Sequence, residues 1–306
     1  MGISIAKAQL LSIFTETLLY GVYFSLYWVT IIILLQRRRS GHTQYRRLIP
    51  VATILLLSAT AHLVLDFVRI IQGFIESDDA NAYYNNIPHP LHVAKTALYI
   101  THVTTGDCVL IWRCYIVYNK SLFVLIPPLI MSMADAVSGY YGTYILTKAG
   151  SAATIFNTGR VLILSFCSLT MSTNIFCTGA IVWRIYWTRR ATVSTQHSLF
   201  YVVMAVVESG AIYTLGVLSS LIAYVAGSNG QYVALDIVTP LSGITFSLII
   251  IQIHFHLYSK SQSTTAGPMT GIIFKQKSKC ITSEEQNSSR TYPYSLKPSA
   301  FSSPSS

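Results

Sequence analysis

Ser58, His62, Asp66 and Arg69 follow one another at spacings of four, four and three residues inside an otherwise apolar run. On a helix those spacings fall within a narrow arc of one face. An imidazole, a carboxylate and a guanidinium on one face can bind a metal, relay a proton or pair as ions. Ionisable groups inside a hydrophobic segment are costly, so each marks a candidate site. Asp66 and Arg69 can also pair locally, the plainer use of the same spacing.

A second apolar run carries Lys95, His102 and Arg113 on a shared face, with Asp107 turned about 120° away. Polar groups on several sides point to a central helix. Later runs add Asp135, then Arg160, Asn174 and Thr178, then Glu208, and finally Asp236 followed on one face by Pro240, Gly243, Ser247 and His254. Depth along the runs sorts these groups. Asp66, Arg69, Lys95, Arg160 and Asp236 belong to one end, where they are expected to face a shared polar cavity open to the outside. His62, His102, Asp107 and Asp135 fall near the midplane. Arg113 and Glu208 lie deeper, and an extended arginine spans their difference in depth, so they are expected to form an inner pair that opens when the bundle responds to a ligand.

His62, Asp66, His102, His254 and His256 offer zinc-type ligands. His254 and His256 diverge by about 200° on a helix, and His254 lies roughly 10–15 Å from the depth of His62, so no metal is expected. No glycine-rich phosphate loop, H-E-x-x-H pair or serine-nucleophile motif occurs. The last apolar run, "YVALDIVTPLSGITFSLIIIQIHFHLY", lacks the lysine a retinal Schiff base needs. Neither catalysis nor a cofactor is expected.

The elements that must hold these residues are set by composition. The chain of 306 residues is 52% hydrophobic and 10% charged, with mean hydropathy +0.50, whereas soluble domains carry about a quarter charged residues. Each crossing of a hydrocarbon core of about 30 Å needs only about 20 apolar residues. Hydropathy and breakers predict seven spans at 12–35, 49–75, 91–118, 121–146, 156–187, 199–226 and 231–258 within a transmembrane domain over 1–258. All are expected to be helical, since a segment in lipid satisfies its own backbone hydrogen bonds. Pro50 suits a first helical turn, whereas Pro127-Pro128 and Pro240 are expected to kink the fourth and seventh spans.

The net charge of +10 does not point to nucleic acid, because the cations sit between hydrophobic segments. "QRRRSGHTQYRR", Lys120, "TRR" and the lysines after the seventh span alternate with "ESDDANAYYNNIPHP", a stretch bearing only Lys148, and the uncharged "GSNGQ". Positive loops stay cytoplasmic. The N-terminus is therefore expected outside and the C-terminal tail inside. "WRCY" at 112–115 and "WRIY" at 183–186 then both reach the inner interface, where arginine snorkels and aromatics anchor, and Arg113 and Arg184 are expected to do different jobs.

The first run, ending in Arg37-Arg38-Arg39, is too long for a signal peptide, and Ala6 spoils the "MGISIA" myristoylation pattern. Residues 259–306 are Ser- and Lys-rich and are expected to be disordered, with Cys280 either palmitoylated or unmodified. Cys108, Cys114, Cys167 and Cys177 are expected to pack as small apolar side chains. The sequons at Asn119 and Asn287 fall on the cytoplasmic side, so glycosylation of neither is expected.

The stretches "ETLLYGVY", "ATAHLVLDFVR", "VAKTALYITHVTTGDCVLIWRCYIVYNKS", "IVWRIYW", "ESGAIYT" and "LDIVTPLSGITFSLI" together resemble a group of seven-transmembrane proteins abundant in basidiomycete fungi. The resemblance implies receptor-like topology and transfers no ligand or activity. Similarity to rhodopsin-like receptors is weaker: Trp112 replaces the acid of their acid-Arg-Tyr triplet, and the seventh span lacks N-P-x-x-Y.

The chain is thus expected to be an all-α, multi-pass integral membrane protein of the plasma membrane or an endomembrane. The expected role is that of a receptor- or sensor-like protein with the bilayer, a small molecule from the outer side and a cytoplasmic signalling protein as partners. A small-solute transporter or ion channel is the alternative, and a metal-dependent membrane hydrolase the third.

Overall fold

The computed structural model describes residues 3–39, 43–86, 88–148, 152–191 and 196–265. These are helical throughout apart from short connections, and no strand occurs among them. In chain order the helices are α1 (Ile5–Arg39), α2 (Thr43–Ile71), α3 (Ala80–Asn85), α4 (Pro90–Val117), α5 (Ile126–Thr147), α6 (Ala152–Ala191), α7 (Gln196–Val225) and α8 (Gly230–Thr265). A π-helical turn, Gln72–Glu76, extends α2 toward the short α3. The Asp79 carboxylate caps α3 by accepting from the Asn81 N–H at 2.9 Å.

Among the described residues, five helical stretches are long and apolar enough to cross a membrane: Ile5–Arg37, Leu48–Glu76, Val161–Trp187, Val203–Val225 and Gly230–Phe255. They lie on α1, α2 with its π turn, α6, α7 and α8. This is a helical, multi-pass membrane protein by length and composition. Burial agrees in sense with a lipid solvent. Phe14 is 66% and Val137 65% exposed, while Asp66, His102 and Asp135 are fully buried. In lipid the apolar face needs no cover, and the polar groups turn inward.

The long helices pack in sequence, α1 on α2, α2 on α4, α4 on α5, α5 on α6, α6 on α7 and α7 on α8, and α8 returns to α1. α4 also touches α6 and α8, the central position its distribution of polar residues calls for. Among the described residues the apolar core is shared among three groups of buried side chains. One joins Tyr23, Leu34, Leu55 and Phe246 between α1, α2 and α8. A second joins Ile100, Val103, Phe166, Tyr213 and Val238, and the third Cys114, Cys177, Ile181 and Ile249. Cys114, Cys167 and Cys177 are buried, Cys108 is exposed, and all four are free thiols.

Three local features differ from expectation, the first being Pro50, which lies inside α2 because that helix already begins at Thr43 instead of opening at the proline. Asn119 and Lys120 adopt positive φ angles of 52° and 65°, so the chain turns there and α5 begins only at Ile126. Pro127 and Pro128 then occupy its first turn, where proline costs no hydrogen bond, and they start the helix instead of kinking it. At the other end α8 continues to Thr265, beyond the expected limit at 258. "SKSQSTT" contains no breaker before Gly267-Pro268. Cys280, Asn287 and the remainder of the expected tail lie outside the described residues.

Candidate functional site: a buried ionic cluster

α1, α2, α4 and α8 bring six ionisable side chains together near the end of the bundle that carries α3. α1 presents Gln9, Ser12 and Glu16, spaced three and four residues apart and so on one face, each buried to within 1%. α2 presents His62, Asp66 and Arg69. α4 supplies Lys95 soon after its proline start, and α8 supplies Asp236 one turn before Pro240.

Lys95 is the centre. Its Nζ donates to Asp66 Oδ1 at 2.6 Å and to Asp236 Oδ2 at 2.8 Å, so one ammonium joins carboxylates from two other helices. The Ser12 hydroxyl donates to the same Asp236 oxygen. Glu16 Oε1 and His62 Nδ1 are 2.7 Å apart, and His62 Nε2 lies 3.8 Å from Asp236 Oδ1. Arg69 Nη1 stands 3.7 Å from Asp66 Oδ1.

The α3 end closes over the arginine. Its guanidinium lies 5.4 Å from the Tyr84 ring centroid, and the Tyr84 hydroxyl donates to the Arg69 carbonyl at 3.2 Å. Burial raises the Tyr84 phenol above its ordinary range, with Arg69 opposing, so the hydroxyl stays a neutral donor. Glu16 Oε2 and Asp66 Oδ2 are buried without a hydrogen-bond partner. Such a cluster adds little net stability, because desolvation offsets most of the Coulomb attraction, but it disfavours any packing that separates its members.

Asp66, Arg69, Lys95 and Asp236 are thus brought together, but as side chains in direct contact and not as the lining of either cavity deeper in the bundle. Arg160 belongs to α6, and its side chain lies outside the described residues. His62, expected near the midplane, joins the cluster instead. The other midplane residues sit apart from it. His102 Nδ1 pairs with the Ser58 hydroxyl at 2.7 Å. Asp107 accepts from Thr170 Oγ1 at 3.0 Å, and Asp135 is buried with both carboxylate oxygens lacking a partner. Sequence reading missed Ser12 and Glu16. The rule that flagged Asp66 applies equally to a glutamate inside the first span, and the spacing of Gln9, Ser12 and Glu16 supplies the missing face.

The expected inner pair does not form. The backbones of α4 and α7 do not come close together, although their side chains share buried groups. Arg113 Nη2 approaches the Phe246 carbonyl at 3.5 Å with its guanidinium 5.0 Å from that ring, both on α8. Glu208 is exposed and accepts from Gln252 Nε2 at 3.1 Å. Depth alone placed Glu208 within reach of an extended arginine, but helix rotation and the order of helices turn the two apart. Arg184 lies over the Tyr118 ring at 5.6 Å, beside the exposed Trp183, so the two arginines of the repeated motif have different surroundings.

Glu16, His62 and Asp236 each offer a ligand atom within 4.8 Å of the others, a donor set of oxygen and nitrogen suited to a divalent metal. Lys95 already supplies a positive charge to Asp236, and Glu16 already holds the imidazole, so the set is compensated without an ion. His254 is remote from it, bordering a cavity with Arg37.

Two cavities open deeper in the bundle and meet at Arg113, Val206 and Ile249. One, of about 40 Å³, is polar on the Asp107, Asn174 and Ser209 side. The other, of about 190 Å³, is bounded mainly by aliphatic side chains. Comparison with known proteins adds no assignment to these sites: no family model, no curated protein and no solved structure matches the chain.

Proposed function

We propose that the chain is a receptor- or sensor-like protein with seven membrane-spanning helices, its N-terminus outside and its tail cytoplasmic, in the plasma membrane or an endomembrane. α4 and α5 complete the seven. Lys95, Asp107 and Arg113 in α4, and the prolines and tyrosines of α5, lower their hydropathy, but both helices belong to the same bundle. The resemblance to fungal seven-transmembrane proteins and the alternation of positive loops support this topology.

The observation that carries the functional reading is the Lys95 bridge to Asp66 and Asp236 at 2.6 and 2.8 Å. A buried bridge between three helices defines one arrangement of the bundle. A small charged ligand entering from the α3 end competes for these ions and favours another arrangement, which a cytoplasmic partner reads. The experiment is a thermal-stabilisation screen of the purified full-length chain with small amines, amino acids and carboxylates, repeated on Asp236→Asn. Stabilisation of the wild type that the variant loses supports the reading. Stabilisation equal in both disconnects ligand binding from the bridge.

A transporter is the second reading, favoured by the buried carboxylate of Asp135 in α5, both of whose oxygens lack a hydrogen-bond partner. Solute or ion flux into vesicles that Asp135→Asn abolishes selects it over the receptor.

A further inference from the structure

The cavity of about 190 Å³ is remote from the ionic cluster and has a chemistry of its own. Ten of its fourteen lining side chains are Ile, Leu or Val, contributed by α1, α2, α4, α6, α7 and α8. Its ionisable liners are Arg37, Arg113 and His254, all basic, and no carboxylate lines it among the described residues. Arg113 stands where this cavity meets the smaller one, with a carbonyl at 3.5 Å and an aromatic ring as its described contacts. A guanidinium forms its strong bonds as a two-pronged donor to carboxylate or phosphate. The walls accordingly favour a hydrocarbon chain, and the charged side chains favour an anion at one end of it.

Size narrows the class. Sites for drug-sized ligands usually enclose about 300–1,000 Å³, so the cavity is too small for a folded polypeptide segment and suits a headgroup with part of a single chain. We propose that this cavity binds a single-chain fatty carboxylate drawn from the surrounding bilayer, with its carboxylate held by Arg113, Arg37 positioned as a further cationic neighbour and His254 as a polar one, and its chain among the aliphatic side chains of α6 and α8. The proposal is independent of the receptor reading, since it concerns different residues and a different ligand.

Trp112 lines the cavity, whereas Trp28, Trp183 and Trp187, the other tryptophans, are 53%, 62% and 58% exposed. With those three changed to Phe, the full-length chain in phosphatidylcholine nanodiscs reports on the cavity through Trp112 fluorescence. Dibromostearate, whose bromines quench indole on contact, is expected to quench Trp112 saturably. Its uncharged methyl ester is expected to need about tenfold more, and Arg113→Gln to weaken the acid by about tenfold, the loss of one charge-assisted contact. Val206→Phe, which fills the cavity, is expected to abolish the saturable component. Should Arg113→Gln fail to fold, Arg37→Gln and Ile253→Phe supply the same charge and volume contrasts. Equal quenching by acid and ester, a response that rises linearly with bilayer loading, or native mass spectrometry showing a polypeptide instead of the carboxylate in the wild-type chain overturns the proposal.

Discussion

Lys95 Nζ donates to Asp236 Oδ2 at 2.8 Å across 141 residues of chain, joining α4 to α8 inside the bundle. Removing one member of a buried pair leaves the others uncompensated, at a cost of about 3–5 kcal/mol. Lys95→Met is therefore expected to lower the melting temperature sharply. Adding Asp66→Asn and Asp236→Asn to the same chain is expected to recover much of the loss, because neutral amides need no ammonium. Thermal unfolding of the single and triple variants in one detergent checks this. A triple variant no more stable than Lys95→Met refutes the charge-compensation account.

Glu16 and His62 form the second tie, between α1 and α2, at 2.7 Å with both residues buried to within 1%. A double-mutant cycle with Glu16→Gln and His62→Phe is expected to give a coupling of about 1–3 kcal/mol. Coupling near zero dissociates the pair energetically despite its geometry.

Metal binding offers a contrast between the wild type and a variant. Glu16, His62 and Asp236 already gather their ligand atoms within 4.8 Å, and in the wild type the Lys95 ammonium stands beside them. In Lys95→Ala the carboxylates lose that cation. Zinc ions are expected to stabilise Lys95→Ala against heat by more than they stabilise the wild type, since an ion bound only by the native state raises its stability. Equal shifts in the two proteins contradict compensation by Lys95.

Gly243 faces the ring of Tyr23 so closely that a Cβ there falls inside the ring's van der Waals envelope. Gly243→Val is expected to push α8 from α1 and cost about 1–3 kcal/mol through overpacking. Tyr23→Ala, which vacates the space, is expected to relieve part of that loss. Tyr23→Phe, by contrast, is expected to cost little, because the Tyr23 hydroxyl is buried without a partner. Melting temperatures of the three singles and the Gly243→Val/Tyr23→Ala double separate these effects.

Arg113→Ala and Glu208→Ala are expected to be additive within about 0.5 kcal/mol, as for distant sites. The backbones of their helices do not come close together, and each residue has its own partner on α8. A coupling above about 1 kcal/mol reinstates an inner pair in another state of the bundle.

The helical class was legible because it is local. Apolar runs of spanning length, broken by basic and polar loops, leave the backbone no other economical structure in lipid. The face shared by His62, Asp66 and Arg69 was equally legible, since 3.6 residues per turn fixes which side chains lie together on one helix. Depth could be read from helical rise, and it put Asp66, Lys95 and Asp236, which are in contact in the structure, at one level, because Lys95 and Asp236 stand near the starts of their helices and Asp66 near the end of its own. Depth does not include rotation. For that reason it also set Arg113 beside Glu208, whereas the ring order of the helices turns Glu208 toward Gln252 and leaves Arg113 against Phe246. Only tertiary structure decided that Glu16 meets His62, that Lys95 serves two carboxylates at once, and that an aliphatic cavity with a basic border lies at Arg113. These features depend on which faces of α1, α2, α4 and α8 meet, and that is set by the joint packing of side chains distant in the chain.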